Sequence, residues 1–126
     1  VRGVKPHLVV NNDAVTRAPA PPAWLSPEAK KEWRRVMPIL IERRILTTAD
    51  LGSLESYCTS IGAMRDAQRI LNEEGLVIEG KRHPAFGIMN AAQTTARLCA
   101  AELGLTPVSR SRPAIREDDD ADTLLD

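Results

Sequence analysis

The sequence predicts an all-α fold: a short N-terminal helix kinked at Pro38, then a long antiparallel helical hairpin that assembles with copies of itself. Three observations predict it. Ala, Leu, Ile, Glu and Arg dominate, and the only aromatic residues are Trp24, Trp33, Tyr57 and Phe86. Apolar side chains return every three or four positions in three separate stretches, and no β-branched run alternates with polar residues. Each stretch is also bracketed by residues that start or stop helices.

Residues 1–23 have no apolar periodicity and end in a Pro/Ala cluster, which reads as an extended, flexible arm stiffened near Pro19, Pro21 and Pro22. The basic N-terminal helix occupies residues 24–46. Ser26 is its expected N-cap, Pro27 suits the first helical position, and Glu28 meets the positive end of the dipole. Ala29, Trp33, Val36, Met37, Leu40 and Ile41 form its apolar stripe, with both Trp24 and Trp33 expected as core anchors. Pro38 cannot donate to the carbonyl four residues back, so a kink or a break is expected there.

The helical hairpin occupies residues 47–104, with a loop at 75–83. Thr47 or Thr48 caps its first helix, which runs to about Glu74 before Gly75. Leu54, Tyr57, Ile61, Met64 and Leu71 repeat at close to 3.5 residues, as in a helix-packing seam. Leu76, Val77 and Ile78 are expected as a loop with an apolar anchor rather than a β-hairpin. His83 is expected to cap a helix or lie at the surface, and Pro84 opens the next helix. Ala85, Met89, Ala92, Ala96, Cys99 and Leu103 share one largely small face, which allows close helix approach. Gly104 then permits a left-handed stop, Leu105 folds back as an apolar latch, and Pro107 prevents continuation. Residues 105–126 form this turn and an acidic tail, too charged to bury, whose one small apolar pair is Leu124–Leu125.

Charge is unevenly spread although the totals balance at 17 acidic and 17 basic residues. Residues 24–46 hold six cations against three anions, and residues 105–126 hold three against six. This asymmetry points to a polyanionic partner at one end. Lys30, Lys31, Arg34, Arg35, Arg43 and Arg44 are the candidate phosphate contacts, and Arg2 and Lys5 in the arm are further ones. Two readings stay open for the helix: a phosphate-binding face, or solvated charges paired with Glu28, Glu32 and Glu42. The short turn from Arg43 to Thr48 gives the first two helices a helix-turn-helix outline.

Catalysis has no visible basis. His7 and His83 are the only histidines, and no Gly-rich phosphate loop occurs. Cys58, Cys99 and His83 match no common zinc spacing, so no metal or other cofactor is expected. The two cysteines read as buried, reduced thiols, and no apolar run is long enough to span a membrane. Self-association is expected instead, because an intramolecular hairpin covers only half of such broad stripes. The seam residues Leu54, Tyr57, Ile61, Met64 and Leu71, with Met89, Ala92 and Ala96, are the candidate contacts between copies. A head-to-tail arrangement either closes into a ring or runs on as a filament.

The blocks "PPAWLSPEAKKEWRRVMPIL", "ILTTADLGSLESYC", "GLVIEGKRHPAF" and "ELGLTPVSRSR", with "RGVKP" near the start, closely resemble the small subunit of phage terminases in order and spacing. The resemblance covers about Arg2 to Arg112, and its Leu-Gly-Leu-Thr-Pro-x-Ser-Arg block is the most specific part. It implies a non-enzymatic protein of the host bacterial cytoplasm that binds viral double-stranded DNA. It also implies rings of roughly eight to eleven copies that recruit or regulate the large ATPase-nuclease subunit. Carried onto this chain, the basic residues named above become DNA contacts, and Leu124 and Leu125 become a dock for the large subunit. The alternatives are a dimeric helix-turn-helix transcription regulator and a scaffold with no DNA role.

Overall fold

The computed structural model describes residues 14–107. Among the described residues, three helices carry the fold: α1 (Pro27–Arg43), α2 (Leu51–Glu74) and α3 (Pro84–Glu102). A 3₁₀ turn at Thr48–Asp50 leads into α2, and a two-stranded antiparallel ribbon, β1 (Val77–Ile78) and β2 (Lys81–Arg82), joins α2 to α3. α2 is the central element, with α3 folded back along it and α1 packed across its first half.

The ends of the helices follow from local chemistry. The Ser26 hydroxyl accepts from the Ala29 N–H at 3.1 Å, and Pro27 fills the position whose N–H would lack a partner. Asp50 reaches back to the Thr47 N–H and hydroxyl, both at 2.9 Å, and so closes a capping box. His83 does cap α3: its Nδ1 accepts from the Ala85 N–H at 2.9 Å, while its Nε2 meets Glu74 at 2.8 Å. It is buried rather than a surface residue. At the far end of α3, the Leu105 N–H bonds to the Ala100 carbonyl and the Gly104 N–H to that of Ala101. With Gly104 at φ 74°, this is a Schellman stop, and Leu105 packs onto the core as its latch.

Of the two outcomes expected at Pro38, a break does not occur: α1 continues through it, and Pro38 lies on the exposed side, so water can reach the carbonyl left without a donor. Two other expectations need correction. The segment after Gly75 is a β-hairpin, not an anchored loop. Glu79 and Gly80 have φ of 52° and 76°, the paired positive values of a type I′ turn, and Leu76 and Val77 are exposed. Trp24 is no core anchor, being 65% exposed. The chain turns at Pro22, whose carbonyl accepts the Leu25 N–H, and Leu25 goes into the core in its place.

Two apolar clusters lie along α2. The larger joins Leu25, Ala29, Trp33, Val36 and Leu40 to Leu46, Leu54 and Cys58, and extends to Ala96 and Leu103. Each fully buried Leu or Val here contributes about 1.5–3 kcal/mol of transfer free energy. The smaller cluster, Ala67, Leu71, Ala85 and Met89, closes the hairpin near the β-ribbon. Close approach at the α1–α2 crossing depends on Gly62, where an added Cβ would lie 2.8 Å from Ser26 Oγ and 2.9 Å from the Ala29 nitrogen. The last residues of the arm are extended and docked. The Val15 N–H bonds to the Leu46 carbonyl at 2.7 Å, and the Trp33 indole N–H donates to the Pro19 carbonyl at 2.9 Å.

Candidate nucleic-acid interface

Helical geometry places Lys31, Arg34 and Arg35 on the side of α1 away from its core stripe, where all three are exposed. α2 adds two cations that the sequence reading did not single out. Arg65 lies 2.9 Å from Glu32 and 3.7 Å from Glu28, and Arg69 lies 3.2 Å from Glu28 and 2.8 Å from Asp66. The ion-paired cluster thus holds four cations, Lys31, Arg35, Arg65 and Arg69, against three anions, Glu28, Glu32 and Asp66, with exposed Arg34 one turn from Lys31 on α1. It is therefore a positive surface with an ordered ionic base.

Glu32 forms that base. It is only 1% exposed, yet all its hydrogen-bonding capacity is used. It accepts from Arg35 Nε at 2.9 Å and a terminal Arg35 nitrogen at 2.6 Å, from Arg65 at 2.9 Å, and from the Tyr57 hydroxyl. Burial alone would push its carboxyl upward, but the hydrogen bonds from Arg35 and Tyr57 and the charges of Arg35 and Arg65 hold it at about 2. The Tyr57 phenol is pushed up to about 12, first by burial and then by Glu32. The hub ties α1 to α2, and it leaves the outer edges of the two guanidinium groups facing solvent.

The six candidate contacts on and after α1 thus have different surroundings. Lys31 pairs with Glu28 at 3.2 Å. Among the described residues, Lys30 and Arg34 make no ion pair. Arg35 belongs to the Glu32 hub. Arg43 is turned inward and donates to the Gly104 carbonyl at 2.6 Å, holding the end of α1 to the end of α3. Arg44 is the left-handed C-cap of α1, at φ 56°. Arg2, Lys5, Leu124 and Leu125 lie outside the described residues. The signal for Glu32 was present in the sequence: it falls three residues after Ala29 and four before Val36, on the buried stripe.

The candidate contacts between copies divide in the same way. Leu54, Tyr57, Leu71, Met89, Ala92 and Ala96 are buried within the protomer. Ile61 and Met64 are half-buried and, with parts of Tyr57 and Ala96, line an open groove of about 420 Å³ between α2 and α3. The exposed large apolar side chains also include Ile88 and Leu98 on α3. Burial pushes the Cys58 thiol up to about 12, which makes it inert packing rather than a nucleophile. No described helix is long and apolar enough to cross a membrane.

Comparison with known proteins agrees with the resemblance in the sequence. No curated protein and no solved structure matches the chain. A family model described as phage terminase, small subunit, matches residues 29–120, which take in α2, α3 and all but the first two residues of α1. Because that match spans well over half of the 126 residues, the chain belongs to the phage terminase small subunit family.

Proposed function

We propose that this protein is a non-enzymatic DNA-packaging subunit. In this reading, a ring of copies binds viral double-stranded DNA in the host bacterial cytoplasm and recruits the large terminase subunit, with Leu124 and Leu125 of the acidic C-terminal stretch as the dock. Membership of the family supports the packaging role. The observation that carries the DNA contact is the excess of cations at Lys31, Arg34, Arg65 and Arg69 on adjoining faces of α1 and α2. Lysine and arginine at such a surface gain affinity by releasing counterions from phosphates, without reading base sequence. Repetition of the patch around an assembly turns weak single contacts into strong overall binding.

The test is the salt dependence of duplex binding. Lys31→Gln with Arg34→Gln removes two exposed charges and leaves the Glu32 hub intact. The slope of log affinity against log salt should fall by about 0.9 for each phosphate that no longer meets a cation. An unchanged slope would place the contact surface elsewhere. Arg35 is unsuitable as a probe, since its removal strips a partner from buried Glu32.

A further inference from the structure

Trp24 is a large aromatic side chain left largely in solvent, although the same chain has a buried tryptophan nearby at Trp33. It stands at the edge of a shallow depression lined also by Ser56, Thr59 and Ser60 of α2, with Glu55 beside it. A second, larger groove, lined by Tyr57, Ile61, Met64, Ala96, Arg97 and Ala100, is mainly apolar with a cation among its lining. At about 100° per residue, the α2 residues of the two sites diverge by well over a right angle. The knob and the groove therefore lie on different faces, and a protomer cannot place its own Trp24 in its own groove.

The geometry points to a head-to-tail contact in which Trp24 of one copy inserts into the α2–α3 groove of the next. The occupant is a second copy of this chain, because both halves of the contact, and their charges, are on the same molecule. Arg97 at the rim offers a cation to the inserted indole face. It also faces the acidic group that accompanies the knob, Glu55, and among the described residues neither Glu55 nor Arg97 makes an ion pair. Two different surfaces in contact make the interface heterologous, the type that propagates around a ring. A buried tryptophan with a hydrophobic seat and a charged rim has the anatomy of an interface hot spot. This inference rests on the assembly proposed above and assigns it a surface.

The test uses the full chain at micromolar concentration, with native mass spectrometry and sedimentation velocity, and circular dichroism to check folding. Trp24→Ala and Arg97→Glu should each raise the concentration for half-assembly by about tenfold or more while retaining helical structure. Glu55→Arg should do the same, and combining it with Arg97→Glu should restore assembly by exchanging the two charges. Assembled Trp24→Ala and Arg97→Glu variants at the wild-type concentration would overturn the contact, as would a double variant no better than its singles. A wild-type chain found only at the 13.8 kDa protomer mass would instead overturn the assembly itself.

Discussion

Replacing Glu32 with Gln tests the ionic base of the positive surface. The folded carboxyl sits at about 2 against an ordinary value of 4.5, a difference that corresponds to about 3 kcal/mol at neutral pH. Arg35 and Arg65, at 58% and 36% exposed, bring solvent close to the pair, so about 2 kcal/mol is the more realistic yield. Because the folded value is depressed, the contribution is complete above the unfolded value. It declines as the pH falls from about 5 and is largely gone near 2. Urea unfolding of both proteins at fixed protomer concentration, repeated from pH 7 to pH 2.5, gives the comparison. Wild type should exceed Glu32→Gln by about 2 kcal/mol at pH 7, with the gap closing below pH 5. A gap that stays constant with pH, or none at pH 7, would refute the reasoning.

Two further outcomes follow from the packing. Gly62→Ala gains up to about 1 kcal/mol of helix propensity but forces a Cβ against Ser26 and the Ala29 backbone. The net effect should be destabilisation of about 1–2 kcal/mol, measured by thermal unfolding, and a raised Tm would show that the crossing is looser than described. His83→Ala removes both the α3 cap and the bond to Glu74, for about 1–2 kcal/mol. Hydrogen exchange should speed up first at the start of α3, whereas His83→Asn should recover much of the protection.

What the sequence disclosed was local. Ser26, Pro84, Gly75 and Gly104 act through their own backbone and nearest turns, so the helix limits were legible without the tertiary structure. What it hid depends on which way a side chain faces after packing. Trp24 precedes the cap, where no periodicity indicates direction, and it points outward. Glu32 follows the periodicity of the core, but its charge suggested the surface, and only Arg35, Arg65 and Tyr57 arriving together make its burial tolerable. The basic helix was legible as a group. Its division into a structural Arg35 and Arg43 and an outward Lys31 and Arg34 was not, because the partner of Arg43 comes from the end of α3 and Glu32, the partner of Arg35, becomes a buried hub only through Tyr57 and Arg65 of α2. The seam of α2 likewise read as one surface, although α3 covers Leu71 while Ile61 and Met64 remain half-open.

The central claim is that copies of this small helical chain combine to present their positive faces to a duplex. Native mass spectrometry at micromolar concentration, with and without a short DNA duplex, tests it most directly. The account predicts one discrete multiple of the 13.8 kDa protomer that takes up duplex. A folded chain that stays at the single-protomer mass and ignores DNA at low salt would contradict it.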